Sequence, residues 1–344
     1  MKVDVLVVGA GPGGCMCALE CAKAGMKVFL IDTRKSIGEP VQCAEFIPFQ
    51  LSYNLKDINW EISIKQEVKK MVHFTPWGEV GEMSSPGYVL DRAVFDKAIA
   101  SRALEKGAVL SLKTKFLGFE DGLCVLKNLK TGELLRVEAK FVVGADGPRS
   151  QVAASSGGAN TCFLVSAQKT VRLEREVKDL WVFFRSYIPG GYGWVFPKGD
   201  LANVGVGIDP KFGLGLDLAL REFLKELRAM GVFSVELFSS GGWLPANGLL
   251  KLVRGRVLLV GDAGGFCHPI TGAGIANAVI SGKMAGRAIA GGQLEEYEQE
   301  AKEVFYNSLE RARKKRELYM QRWDNLEKIV PLTWIGFEEY WSKI

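Results

Sequence analysis

The sequence predicts an α/β fold. A nucleotide-binding domain on a parallel sheet is interleaved with a β-rich domain, and a helical C-terminus follows. Three observations predict it. "VDVLVVGAGPGG" and "MKVFLID" frame a β-α-β unit in the first 32 residues. A further buried strand ending in glycines, "GRVLLVGDAGG", comes only after residue 250. Between them, residues 160–210 or so carry short alternating strands with turns at "PGG" and "KGD". A β-rich insertion between two pieces of one nucleotide-binding domain gives expected boundaries of 1–70, 90–160 and 250–292 for the first domain. The second takes 71–89 and 161–249, and the helical segment takes 293–344.

Each element has a local reason. The first strand is a Val/Leu run, as in a sheet buried on both faces. Helical apolar spacing starts at Arg92, with Asp91 placed to cap it and Gly107 to stop it. "AVLSLKTKFLGFEDG", "LCVLKNLKTGELLRVEA" and "KFVVGADGPRS" read as strands. "LDLALREFLKELRAMG" is an amphipathic helix. "GIANAVISGKMAGRAIAG" is a helix of small residues, and the tail from Leu294 is helical, charged and then aromatic.

Bulk properties narrow the function classes. At 344 residues and 48% hydrophobic, the chain can bury a large core. No stretch of about twenty residues is continuously apolar, which argues against a spanning helix. The N-terminus has an acid at Asp4 and glycines where a signal sequence needs an apolar helix. The seven cysteines include no Cys-x-x-Cys pair, and the only histidines are His73 and His268. Cys15, Cys17 and Cys21 therefore read as small packing residues, and no metal site is expected. Scattered free thiols indicate a reducing, cytoplasmic compartment. A net charge of +5 with one basic run, "RARKKRE", does not point to nucleic acid.

The chemistry lies in three motifs. In Gly9-Ala10-Gly11-Pro12-Gly13-Gly14, Gly9 allows the tight turn, Gly11 admits a pyrophosphate, and Gly14 lets helix pack on strand. Asp32 ends the next strand, placed to accept a ribose hydroxyl and to repel a 2′-phosphate that Arg34 might attract. "VVGADG" spans Val142–Gly147. In "VLLVGDAGGFCHPITGAGIANAVISG", Asp262 ends a buried strand, and Gly272, Ala273 and Gly274 open a helix whose bare N-terminus favours negative charge.

Together, in this order, the motifs resemble those of FAD-dependent oxidoreductases of the p-hydroxybenzoate hydroxylase type, with a Rossmann-type FAD-binding domain. The resemblance covers roughly the first 290 residues. No second G-x-G-x-x-G is present, so it implies electrons from transiently bound NAD(P)H or a ferredoxin-like protein. Two further stretches, "IGEPVQCAEF" and "PGGYGWVFP", resemble segments of the geranylgeranyl reductases. That likeness implies saturation of isoprenoid C=C bonds in archaeal-type membrane lipid biosynthesis. It implies FAD contacts at Gly13, Asp32, Cys43, Ala44, Phe46, Arg92, Phe116, Asp262, Gly274 and Ile275. It also implies an isoprenoid cavity lined by Tyr192, Trp194 and Phe196, which alternate and share a strand face. Gly190, Gly191 and Gly193 are expected to leave room for substrate or flavin ring. Cys43 and Tyr192 are candidate proton donors, beside water and the flavin itself.

The chain departs from the family pattern twice. Cys43-Ala44-Glu45-Phe46 stands where the family has C-G-E-G, and the region after the third motif is short. A monooxygenase or halogenase on the same fold, or a non-catalytic isoprenoid binder, is the alternative. Finally, Arg311, Arg313, Lys314, Lys315 and Arg316 precede Trp334, Phe337, Tyr340 and Trp341. Basic charge followed by aromatics suggests peripheral membrane docking; the competing expectation is a tail packed on its own domain.

Overall fold

The computed structural model describes residues 1–78, 80–213 and 215–342. β1 (Lys2–Val8), α1 (Pro12–Lys23) and β2 (Val28–Ile31) form the expected unit. β3 (Phe46–Pro48), β4 (Ile64–Phe74) and β5 (Val80–Leu90) follow, then α2 (Arg92–Glu105) and β6 (Val109–Ser111). β7 (Thr114–Glu120), β8 (Leu123–Asn128) and β9 (Leu134–Gly144) make a meander that ends before α3 (Gln151–Ser155). β10 (Phe163–Leu173), β11 (Leu180–Phe183), β12 (Tyr192–Lys198) and β13 (Leu201–Ile208) lead to α4 (Leu216–Ala229) and β14 (Phe233–Pro245). β15 (Val253–Arg254) and β16 (Val257–Leu259) return to the first domain, with α5 (Ile275–Gly291) after them. The tail is α6 (Leu294–Ala301), a π turn (Lys302–Tyr306), α7 (Asn307–Gln321), α8 (Leu326–Thr333) and α9 (Glu338–Trp341).

Strands β16-β9-β1-β2-β6 form a parallel sheet. β1 is buried on both faces: Val5 and Val7 meet α1, α2 and α5, while Leu6 and Val8 meet the meander. The α1–α5 crossing depends on small residues. A Cβ at Gly282 would lie 2.1 Å from the Gly13 carbonyl oxygen, and one at Gly286 would lie 2.9 Å from that of Cys17. Cys17 and Cys21 are buried there, so the thiols serve as small packing groups.

The second sheet runs β14-β10-β13-β12-β11-β4-β5-β3. It begins earlier than the expected boundary at 71: β4 starts at Ile64, and β3 joins the far edge. A register shift between Val68 and Lys70 breaks the alternation of β4, which hid its first half in the sequence. One face of β12 and β13 carries Val195, Val204 and Val206 against Phe223 of α4. The other face looks toward the first domain and the tail.

Candidate functional site

The glycine turn forms as its spacing demands. Gly9 has φ +106°, and a Cβ there would lie 2.2 Å from the carbonyl oxygen of Ala145, so the second motif backs the first. A Cβ at Gly14 would lie 1.9 Å from the Gly9 oxygen, which is the close helix–strand approach expected. Gly11 faces open space, and no side chain caps α1, so the first-turn N–H groups remain available to an anion. Gly13 differs. Its missing side chain makes room for the Ala278 carbonyl oxygen, 2.9 Å from a built Cβ, so its backbone N–H is what it offers a ligand. Asp32 braces the turn: its carboxylate accepts from the backbone N–H of Ala10 and of Arg34, each at 2.8 Å.

The loop from Cys43 to Phe46 crosses between the two sheets. Gln168 donates its amide to the Cys43 carbonyl at 2.9 Å. The Cys43 sulfur accepts from the Glu45 N–H at 3.2 Å. Burial pushes the Cys43 thiol up, against the opposing pull of Arg92, so it stays protonated at neutral pH. Glu45 has φ +74° and is buried. Its carboxylate accepts from the Arg92 N–H at 2.8 Å and the Asn203 amide at 2.6 Å, and it pairs with Lys198. Asp91 caps α2 through the Val94 N–H, as expected. The Arg92 guanidinium donates to both oxygens of buried Asp96, at 3.1 and 3.0 Å, so its charge is already paired.

Two of the expected contacts have rings packed within the protein. The Phe46 ring turns away into the second sheet, edge-on to Phe196 and in the space left by Gly87. The bulky residue in place of a family glycine is thus absorbed by a glycine on β5. The Phe116 ring is buried with Phe119, Leu126 and Val137 beneath the meander, leaving its backbone as the part that can meet a cofactor. Strand alternation had not shown which face of β7 is the core face.

Asp262 follows β16, and its carboxylate lies 3.2 Å from where a Gly274 Cβ would stand, so a side chain there would crowd the carboxylate. Burial raises its pKa to about 6, while Arg92 opposes the shift. Gly274 caps α5 with no side-chain bond, and Ile275 begins the helix, buried. The turn between them was not singled out from the sequence. His268 accepts the Thr271 N–H at Nδ1, 3.2 Å away, which puts its proton on Nε2. Burial lowers its pKa to about 4, so it is neutral at physiological pH. Tyr192 donates its hydroxyl to the Thr271 carbonyl at 2.5 Å, and burial raises its pKa.

Tyr192, Trp194 and Phe196 do share one face of β12, opposite Gly207, Gly205 and Asn203 of β13. The expected role of the neighbouring glycines is corrected. A Cβ at Gly193 would lie 2.8 Å from the Phe223 ring, on the α4 side. One at Gly191 would lie 1.9 Å from the Gly207 oxygen, and one at Gly190 would meet Asp209 and Phe212. These three glycines admit protein, not ligand. Gly207 is the one of this group with room for a side chain: a Cβ there would lie 3.7 Å from the Trp194 ring, in ordinary contact.

The tail closes over this face. Trp334 lies 5.0 Å from both Tyr192 and Phe184, and Tyr319 donates to the Gly191 carbonyl at 2.9 Å. The cleft they line with Ile270 and Arg316 has a free volume of about 10 Å³, room for one water. Arg316 pairs with buried Asp209, and Lys315 sits over Tyr340. Arg313 pairs with Glu310 and Glu317, and Arg311 covers Trp341. Most of the basic cluster is therefore engaged within the fold, and Trp334 and Tyr340 are core residues. Of the four aromatics expected at the membrane, Phe337 is half-buried and Trp341 is exposed.

These residues fit FAD. Two helix starts that no described side chain caps, and two carboxylates just past parallel strands, offer the donors and acceptors its pyrophosphate and hydroxyls need. Asn160, whose amide donates to the Asp262 carbonyl at 2.8 Å, leaves its buried Oδ1 without a partner among the described residues. The comparisons agree. The FAD dependent oxidoreductase model matches residues 4–112, and the geranylgeranyl reductase catalytic domain model matches 160–232. The digeranylgeranylglycerophospholipid reductase of Methanocella arvoryzae is 35% identical over 98% of this chain and 93% of its own length. That of Methanocaldococcus jannaschii is 35% identical over 89% and 84%. A geranylgeranyl bacteriochlorophyll reductase-like structure from Thermoplasma acidophilum superposes with a TM-score of 0.85 at 29% identity, covering 98% of this chain and 92% of that one. A flavin-dependent brominase (TM-score 0.75, 16% identity, 97% and 91% covered) shares the fold alone. The chain is an FAD-dependent oxidoreductase and belongs to the digeranylgeranylglycerophospholipid reductase family.

Proposed function

We propose that this protein saturates the C=C bonds of geranylgeranyl chains carried on archaeal-type glycerophospholipids. The observation that carries this reading is the aromatic face of β12, continuous with Gly207, where a side chain has room, and tied to the Cys43 loop through Gln168. A long apolar chain needs an apolar wall that ends at the redox centre. FAD, when bound, supplies a hydride to one alkene carbon, and the other carbon takes a proton. Cys43 and Tyr192 both hold protons at neutral pH. The Tyr192 proton is committed to the Thr271 carbonyl, whereas the Cys43 sulfur accepts a hydrogen bond and keeps its own proton free. Cys43 is thus the better proton source.

Electrons arrive from NAD(P)H or a ferredoxin-like protein that docks transiently, since the chain carries one dinucleotide fingerprint. The site works in the cytoplasm, peripherally at the membrane where its lipid resides. No helix among the described residues is long and apolar enough to cross a membrane. Chemically reduced enzyme, mixed with digeranylgeranylglycerophospholipid under argon, should give a product heavier by two mass units per bond saturated. An intact alkene with fully reduced flavin would refute the reading, and a requirement for oxygen would make the protein a monooxygenase. The same lipid in sedimenting vesicles, with and without Trp341→Ser, tests the membrane contact.

A further inference from the structure

We propose that Gln168 and Trp194 act as a paired acceptor and donor that reads the imide edge of the isoalloxazine, its N3–H and C4=O. Gln168 on β10 and Trp194 on β12 are both opposite Gly205 on β13, so the three share one sheet face. A Cβ at Gly205 would lie 2.5 Å from the Trp194 ring and 2.6 Å from the Gln168 Cβ, so the two side chains close over that glycine from either side. Both are more than nine-tenths buried, at 5% and 8% exposure. The amide nitrogen of Gln168 is committed to the Cys43 carbonyl, which fixes the orientation of the group and leaves Oε1 pointing elsewhere. That Oε1 and the Trp194 Nε1 have no partner among the described residues.

Buried polar atoms left unpaired cost stability comparable to a lost hydrogen bond, so native sites rarely keep two together unless something completes them. The occupant must present a donor to Gln168 and an acceptor to Trp194. An isoprenoid chain has neither. The flavin imide edge has both, side by side, and Gln168 already holds the loop expected to border the ring. Beside the Rossmann contacts, which hold the other half of the cofactor, this pair fixes the isoalloxazine against the sheet that carries the substrate wall. Gln168 and Trp194 would then be positioning residues for the ring. The inference rests on FAD as the cofactor.

The test titrates full-length apoprotein with FAD and with N3-methyl-FAD, which lacks the N3 proton. Wild type should bind the analogue about tenfold more weakly, the loss of one well-placed hydrogen bond. Gln168→Leu should bind both alike. Trp194→Phe should keep the preference for FAD while weakening both a few-fold, and the visible flavin bands should shift as the C4=O loses its donor. Equal binding of the two flavins by wild type overturns the proposal, with or without a folded variant, and means that the pair holds a trapped water. A preference that survives Gln168→Leu also overturns it. Failure of wild type to bind either flavin would instead refute the cofactor assignment itself.

Discussion

The two faces of β12 and β13 belong to the same two strands yet do opposite things. On the α4 side, Val195, Val204 and Val206 interlock with Phe223, whose ring fills the hollow left by Gly193. Toward the first domain and the tail, the same strands present Tyr192, Trp194 and Phe196, and at Gly207 room for a Cβ beside the Trp194 ring. That side also holds Glu45 bound to Lys198 and Asn203, and polar atoms on Gln168 and Trp194 that have no partner among the described residues. A core face satisfies itself, whereas a ligand face is stabilised by a polar network at its rim and left incomplete at its centre. The comparison separates stability from function, and substitutions can test where the line falls.

The largest effect is expected on the closed face. Phe223→Ala should cost about 3–5 kcal/mol, because removing a fully buried ring leaves a cavity that the sheet cannot collapse to fill. Denaturant unfolding measures it. Flavin content per folded chain should stay at wild-type level, and its loss would show that the two faces are coupled. Next comes the rim of the open face. Glu45→Gln keeps the shape but removes the charge opposite Lys198, at an expected cost on the order of 1–3 kcal/mol. Because Glu45 also accepts from the Arg92 N–H, the same variant should weaken FAD binding. An unfolding midpoint equal to wild type would place Lys198 in solvent and end the case for a sealed rim.

Which parts of this were legible in the sequence follows from the range of the interactions. The Gly9–Gly14 turn, the Asp91 cap and the amphipathic α4 are local: each rests on residues within a β-α-β unit or a single helix, whereas the bracing of that turn by Asp32 shows only in the structure. The shared face of Tyr192, Trp194 and Phe196 follows from strand alternation alone. Glu45 was visible only as a letter in a motif, because its partners Lys198 and Asn203 lie far along the chain. The β12 glycines were assigned to a ligand because composition cannot say which face a missing side chain serves. The tail left two expectations open for a related reason. A basic run reads as free charge, yet Arg316 finds Asp209 only after α7 crosses the second sheet. Phe46 needed Gly87, again a pairing that exists only across the sheet.

A smaller effect is expected at the centre of the open face. Gly207→Ala adds a methyl that meets nothing closer than 3.7 Å, and replacing a glycine stiffens the unfolded chain, so stability should hold or rise by about 0.4–1 kcal/mol. Lipid turnover should fall, because the methyl stands where the chain must lie beside the ring. Equal turnover, measured against unchanged reduction of the bound flavin, would move the substrate path off β13.

The smallest effect comes from the end of β16, where Asp262 titrates. Burial raises its folded pKa to about 6, above the ordinary carboxylate value, so the folded protein holds an extra proton between the two. Folding stability of the apoprotein from this group is greatest below the unfolded pKa, falls as pH rises through that window, and levels off above about 6. Ligand binding should run the other way. A ribityl hydroxyl donates best to the ionised carboxylate, so FAD affinity should strengthen as pH rises through about 6 while the apoprotein weakens. Asp262→Asn removes the titrating group and should flatten both profiles. His268 cannot produce the same pattern, since it is already neutral above about 4. A rise in affinity near pH 6 that persists in Asp262→Asn would assign the proton elsewhere and detach Asp262 from the cofactor.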